Sequence, residues 1–284
     1  MLNKEVTVVI VSHKSRKLIV NLIKKIYKYK IIVIDNSNDF LLKKELKIKF
    51  PKINIHLVKN NGYGDAINYG SKFVKSKYML ICNPDIKNIT NKKISIFVKT
   101  AKMMNDKFSV FGPRYLKLNN KSIQQSDNKK KIVEWKYISG ACMFIKKENF
   151  DKVRGFDNKF FLYFEETDFC KRIFKINKNY QINEIKISHK PGKSVKNKNE
   201  LEDKKLKKLL NWHFIWSKFY FYKKHYTFLL SIFIFLPILI RTIIKFIINY
   251  LKNDEEKKIK YITRLNGLLS SMTGLKSYKR INNL

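Results

Sequence analysis

Roughly the first third of the chain alternates short Val- and Ile-rich runs with lysine-studded stretches of helical spacing, and few architectures accept that alternation. "VTVVIV" (6–11) reads as a buried strand, and "SRKLIVNLIKKIYKY" (15–29) places Leu18, Leu22, Ile23 and Ile26 on one helical face. "IIVID" (31–35) is the next strand. It is followed by a polar "NSND" turn, a helical segment over 40–49 and a third strand, "INIHLV" (53–58). The loop "KNNGYGDAINYG" leads into another helix, and a fourth strand, "YMLIC" (78–82), ends at "NPD". A βαβαβ rhythm of this kind predicts an α/β fold: a mostly parallel, Rossmann-like sheet flanked by helices, with right-handed crossovers. Ligands of such sheets bind beyond the carboxyl ends of the strands.

Composition narrows the partners. With 284 residues, 44% hydrophobic and 14% aromatic, the chain has ample material for a core, so its net charge of +39 does not mark a disordered polycation. Only seven of the 61 basic residues are arginine, and the lysines are spread along the whole chain. Nucleic-acid recognition favours arginine and a concentrated basic face, so that class is disfavoured. A basic surface of this kind suits an anionic membrane or a nucleoside diphosphate. Cys82, Cys142 and Cys170 form no C-x-x-C pair, which supports neither a disulfide framework nor a cysteine zinc site and fits a reducing cytosol. The run at 6–11, followed at once by "SHKSRK", is too short and wrongly flanked for a signal peptide.

Polar residues gather at the strand ends. Ser12 and His13 follow the first strand, Asp35 closes the second, Asn60 to Gly64 follow the third, and Asn83 and Asp85 follow the fourth. Each has a plain reading of its own. Asp35 with Asn36, Ser37 and Asn38 makes a turn with helix-capping side chains, "NPD" is a common turn, and Gly62, Gly64 and Gly70 permit positive φ or close packing. The glycines spell neither G-x-G-x-x-G nor a P-loop, which disfavours a dinucleotide enzyme or an NTPase.

In order and spacing, several motifs together resemble the family 2 glycosyltransferases of GT-A fold, in particular their rhamnosyltransferase-like branch. They are "VTVVIVSHKS", "VIDNSND", "NNGYGDAINYG", "LICNPDI", "ISGACMFIKKENFDKVRGFDNKFFLYFEETDFCKRI" (138–173) and "HKPGKS" at His189. The likeness runs from about residue 5 to 195 and continues weakly beyond. It implies a nucleotide-sugar crevice in which Asp35 accepts a hydrogen bond from the pyrimidine and Ser12 lines the same pocket. Asn60, Gly62 and Asn68 would shape the loop beside base and ribose. Asn83 and Asp85 stand at the D-x-D position, so Asp85 would bind a divalent Mg²⁺ or Mn²⁺ ion bridging the diphosphate, with His189 as a later metal-side ligand. Asn83 replaces the first acid of that pattern and removes one anionic ligand. Ser139 and Gly140 occupy the "SGA" position, and Trp135 is a candidate platform for a sugar ring.

"FFLYFEETDFCKR" (160–172) sets Glu165, Glu166 and Asp168 at the expected start of a helix, where the dipole and unpaired N–H groups favour acid. Capping explains one carboxylate more readily than three. Glu165 and Asp168 share a helical face, whereas Glu166 points about 100° away, so one acid can face the substrate while the others fix the loop or pair with Lys171 or Arg172. Glu166 and Asp168 are the catalytic candidates, and Glu165 is expected on the acceptor side with Trp135, Ser139 and Gly140. By resemblance Glu166 takes the place of the general base, in a Glu-Glu-Thr-Asp sequence where the family usually has Glu-Asp-x-Asp. The neighbouring aromatics Phe160, Phe161, Tyr163 and Phe164 would raise the carboxylate's pKa by desolvation, or serve simply as core.

The expected domains are a catalytic 1–199 and a helical 200–284. In the latter, "TFLLSIFIFLPILI" (227–240) is free of charge and reaches about 21 Å as a helix, short of a ~30 Å hydrocarbon core, while continuation to Tyr250 reaches far enough but adds Arg241 and Lys245. This segment is expected to insert into or lie on a membrane, or to fold back as a hairpin kinked at Pro237. The resulting expectation is an inverting glycosyltransferase at the cytoplasmic face of the inner membrane. It would take a sugar, with L-rhamnose as the branch-level choice, from a nucleoside-diphosphate donor to a glycan or lipid-linked acceptor, with no nucleic-acid partner. A catalytically weakened scaffold and a basic nucleic-acid-binding protein are the competing classes.

Overall fold

The computed structural model describes residues 3–116, 130–189 and 200–280. It divides into two compact units, one of residues 1–157 with 166–196 and the other of residues 158–165 with 197–284.

The first unit is built on strands β1 (Asn3–Ser12), β2 (Tyr29–Asp35), β3 (Asn54–Leu57), β4 (Tyr78–Cys82), β5 (Ile86–Lys87), β6 (Val110–Tyr115), β7 (Ile132–Glu134), β8 (Cys142–Lys146) and β9 (Asn179–His189). They join in the order β3-β2-β1-β4-β8-β6-β9-β5, with β7 also paired to β9. Strands β1 to β4 run parallel, β6 and β9 share their direction, and β8, β5 and β7 oppose them. The sheet is therefore mostly parallel, as the βαβ rhythm requires.

Alternation along the strands supplies a core to each face. Val6, Val8 and Ile10 of β1 join Ile31 and Val33 of β2 on one side, while Val9, Val11, Ile32 and Ile34 face the other. Helices α1 (Arg16–Ile26), α2 (Phe40–Lys49) and α4 (Asn91–Met103) cover the first face through Ile19, Ile23, Leu42, Leu46, Ile94 and Phe97. Helices α3 (Tyr63–Ser71), α5 (Lys147–Lys152) and α6 (Glu165–Ile173) cover the second through Ala66, Ile67, Phe150, Phe169 and Ile173. A Cβ on Gly70 would lie 2.9 Å from Val9 Cγ1, so glycine is what allows α3 to approach β1 this closely.

The second unit contains α7 (Glu200–His225), α8 (Phe228–Leu251) and α9 (Glu255–Met272). Trp212 donates to Asn266 Oδ1 at 2.8 Å, Trp216 to the Leu275 carbonyl at 3.0 Å, and Ser271 to the Trp216 carbonyl at 2.9 Å. Residues 158–165, expected in the catalytic domain, belong instead to this unit. Their aromatic side chains meet α7: Phe160 lies 4.8 Å from the Tyr220 ring and Phe161 4.7 Å from His213, and Ser217 donates to the Leu162 carbonyl at 2.8 Å. Phe160 and Phe161 are therefore core residues, whereas Tyr163 and Phe164 are only partly buried.

Candidate active site

Strand register brings the first polar residues together. Ser12 pairs with Asp35 at the carboxyl ends of β1 and β2, and the Asn36 N–H donates to the Ser12 carbonyl at 2.8 Å. Ser12 is fully buried, and its Oγ has no hydrogen-bond partner. Asp35, equally buried, accepts from the Ser37 N–H at 3.0 Å, the Ser37 hydroxyl at 2.9 Å and the Asp39 N–H at 3.0 Å. Asp39 in turn caps α2 at the Leu42 N–H and is gripped by Arg16 at 2.7 Å. The turn reading of Asp35 is thus fulfilled in full, and a ligand at this carboxylate would share it with its own turn. Beside it, His13 Nδ1 is buried without a partner, and burial together with the charge of Lys14 lowers the imidazole pKa.

The third strand end is organised by glycine and asparagine. Asn60 Oδ1 accepts from the Gly62 N–H at 3.3 Å, and Gly62 takes φ 119° immediately before α3, a conformation that side chains resist. Asn68 sits differently from expectation. Its amide nitrogen donates to the Phe156 carbonyl at 2.8 Å and its oxygen accepts the Phe156 N–H at 2.9 Å. Both ends of the side chain are spent on the chain before α6, which is the physical reason against a place beside base and ribose.

At the end of β4, Asp85 is 7% exposed and His189 reaches it from the last position of β9, with Nε2 3.2 Å from Asp85 Oδ1. The pairing of Ile86 with His189 across β5 and β9 holds the two together. Asp85 Oδ1 is buried and has no properly aligned hydrogen-bond donor. A buried carboxylate oxygen beside an imidazole is a donor set that fits a divalent cation completed by phosphate oxygens and water. No group of three or more His, Cys, Asp or Glu side chains suited to a metal occurs among the described residues, so most of the coordination would come from outside the protein. Asn83 does not point its chemistry at this pair alone, because its Oδ1 lies 2.7 Å from the Tyr63 hydroxyl, which is also 2.7 Å from the Gly140 carbonyl.

Gly140 connects this end to the acidic helix. A Cβ there would stand 3.3 Å from Glu166 Cβ and 3.5 Å from Tyr63 Cε1, so the small residue of "SGA" makes room for Glu166 itself. Glu166 keeps part of its surface open, yet desolvation pushes its pKa above the ordinary glutamate value, against a smaller opposing hydrogen bond from its own backbone. Asp168 is fully buried and accepts from Arg172 Nε at 2.8 Å, while the same guanidinium donates to the Val153 and Gly155 carbonyls at 2.7 and 2.8 Å. Glu165 is buried and belongs to the helical unit. Trp135 packs partly into the second core cluster, as its packing reading requires. Ahead of the helix, Tyr163 and Phe164 both take left-handed φ, 69° and 66°, a strained turn for bulky residues. Tyr63 and Arg172 organise the site, and neither stands out from its motif: one lies inside the "NGYG" loop, and the other reads in sequence only as a basic residue four positions after Asp168.

A family profile described as the N-terminal domain of galactosyltransferase matches residues 121–195. The rhamnosyltransferase WbbL of Escherichia coli K12 is 29% identical over 204 residues, covering 59% of this chain and 76% of that protein. Both the profile and this relative are glycosyltransferases, and they are what the chain is similar to. Its likeness extends to an archaeal relative, the low-salt glycan biosynthesis hexosyltransferase Agl10 of Haloferax volcanii, at 25% identity over 62% of this chain and 63% of that protein. Among solved structures, the Pyrobaculum calidifontis mannosyltransferase in complex with GDP-Man and Mn²⁺ superposes with a TM-score of 0.54 at 14% identity, over 75% of this chain and 63% of that one. At that identity the superposition speaks for the fold alone, and it is a GT-A fold. The chain thus spans somewhat less than two thirds of both Agl10 and the mannosyltransferase.

Proposed function

We propose that this glycosyltransferase moves a sugar, with L-rhamnose as the first candidate, from a nucleoside-diphosphate donor to a hydroxyl of a glycan or lipid-linked acceptor. Configuration at the anomeric carbon is inverted. The observation that carries the reading is the meeting of Asp85 and His189 at the end of β4, where a buried carboxylate oxygen lacks a donor. A divalent ion bound there would offset the charge of the diphosphate as it leaves.

The protein's own groups then have distinct tasks. Ser12, Asp35, Asn60 and Gly62 frame the nucleotide at the strand ends, the last two through the turn that starts α3. Glu166 takes the proton of the acceptor hydroxyl as its oxygen attacks the anomeric carbon and the nucleoside diphosphate departs opposite. Its raised pKa makes it a stronger proton acceptor than an exposed glutamate, provided the medium keeps it ionised. Asp168, locked to Arg172, positions α6 and with it Glu166, a role in keeping with its complete burial. The exposed apolar helix α8 supports a location at a membrane, where a lipid-linked acceptor would reside.

The test is a panel of nucleotide sugars incubated with the purified full-length chain, with and without Mg²⁺ or Mn²⁺, scoring free nucleoside diphosphate. Metal-dependent release from one donor, increased by acceptor, is expected. Uniform inactivity across donors while the protein remains folded favours the scaffold reading.

A further inference from the structure

Helix α8 is built inside out for a protein in water. Its buried positions include Ser231, Thr242 and Asn249 with Phe235, which fall within about 40° of one another on a helical wheel. Leu229, Leu236, Ile240, Ile247 and Leu251 cluster within about 60° on the opposite side, each 45% to 75% exposed. The inward polar groups satisfy themselves along the helix. Ser231 donates to the Thr227 carbonyl at 2.9 Å, Thr242 to Ile238 at 2.6 Å, and Asn249 to Lys245 at 2.6 Å. Exposed apolar side chains continue beyond that stripe, with Leu230 and Ile248 on one flank and Ile243 and Tyr250 on the other, so the surface facing away from the self-satisfied polar side is apolar except at Arg241.

We propose that α8 lies flat in one leaflet of an anionic bilayer rather than crossing it, a placement that rests on the membrane association proposed above. Length does not decide the matter, since 24 residues extend about 36 Å, enough to span. Charge does. Arg241 stands near the middle of the helix, so a spanning orientation sets its guanidinium close to the bilayer centre at a cost of about 2.5 to 3.5 kcal/mol. In the flat orientation Arg241 lies about 110° from the centre of the exposed stripe and Lys245 lies beside the inward polar side against Tyr261, so both reach the headgroups. Helix α9 adds the second argument. It turns back along α8 after the Asp254 cap, with Lys245 Nζ 5.7 Å from the Tyr261 ring and Lys258 Nζ 5.4 Å from the Tyr250 ring. A spanning α8 would drag Glu255, Glu256, Lys257, Lys258, Lys260 and Arg264 toward hydrocarbon, whereas a flat α8 leaves that helix above it at headgroup level. The lysines around this face select an anionic lipid surface as its partner.

Single cysteines at Leu229, Ile240 and Leu251 of the full-length chain, labelled with an environment-sensitive fluorophore, report depth. The native thiols Cys82, Cys142 and Cys170 are buried, so labelling is confined to the introduced sites. The probe is vesicles of phosphatidylethanolamine and phosphatidylglycerol carrying lipids brominated at defined depths. Similar, shallow quenching at all three sites, with binding reduced about tenfold by Ile240→Glu, is the expected result. Deepest quenching at Ile240, with Leu229 and Leu251 accessible from opposite faces, overturns the flat placement and leaves membrane association standing. No quenching at any site, or a soluble dimer that hides the face, overturns both. Nucleotide-sugar turnover in detergent-free buffer is read separately, so loss of the membrane placement is not confused with loss of the glycosyltransferase reading.

Discussion

The Tyr63 hydroxyl lies 2.7 Å from Asn83 Oδ1, the side chain that stands where the D-x-D pattern has its first acid, and the same hydroxyl is 2.7 Å from the Gly140 carbonyl. A phenol has one proton and cannot donate to two acceptors at once. An asparagine resolves the conflict by turning its amide nitrogen toward Tyr63, which then donates to Gly140. An aspartate has no such option. Asn83→Asp is therefore expected to restore the family pattern yet lose about 1 to 3 kcal/mol of stability through one unsatisfied acceptor. Tyr63→Phe removes the shared proton, so the double variant should be less destabilised than the two single losses added together. Urea unfolding of the three variants measures this, and strict additivity speaks against the shared hydroxyl.

Asp168 is fully buried against a partly exposed Arg172, whose guanidinium also holds the Val153 and Gly155 carbonyls. Arg172→Ala removes the guanidinium from the buried Asp168 carboxylate and frees two carbonyls, with an expected loss of about 3 kcal/mol. Arg172→Lys should recover only part of that, because an ammonium cannot reproduce the fork. Thermal unfolding of both variants is the check, and equal stability of lysine and arginine counts against the fork geometry.

His213 gives the helical unit a pH dependence of known sign. Its Nε2 lies 3.0 Å from the Lys279 carbonyl and its Nδ1 3.0 Å from the Ser277 hydroxyl, an arrangement met by the neutral tautomer that donates through Nε2. Burial lowers its pKa from 6.5 to about 4. A folded pKa below the unfolded one means the stabilisation is complete above 6.5 and is lost as pH falls from there toward 4, about 3 kcal/mol in all. Melting temperatures across that window should fall for the native chain, while His213→Gln, less stable at pH 7, should show a flatter profile.

The raised pKa of Glu166 carries the opposite sign. Above it, the folded protein bears the cost of a desolvated charge, and below the unfolded value that cost disappears. Glu166→Gln should therefore melt above the native protein at pH 8, with the gap closing as pH falls through the raised pKa. Coincident melting curves at every pH would remove the desolvated carboxylate from the account.

The near-continuous apolar runs of β1 and β2 made both legible as buried strands, because a strand covered on two sides is apolar at almost every position, whereas which residue meets which face is seen only in the packed sheet. The antiparallel intrusion of β8 between β4 and β6 was not legible, since the Cys82–Cys142 register joins residues 60 positions apart through no local signal. The strand-end polar residues were readable as a set. Their individual duties were not: Asn68 looks the same in sequence whether it meets a ribose or clamps Phe156. The aromatic block before the acids was misassigned to the catalytic domain because its partner, α7, lies some fifty residues later, as the Ser217–Leu162 bond shows.

Glu166 as the proton acceptor beside an intact donor site is the central proposal. The most direct measurement compares donor binding, by calorimetry with Mn²⁺, and acceptor-dependent turnover in the native chain and in Glu166→Gln. Donor affinity within about twofold of native, with turnover reduced at least about a hundredfold, is predicted. Turnover retained by Glu166→Gln would contradict it.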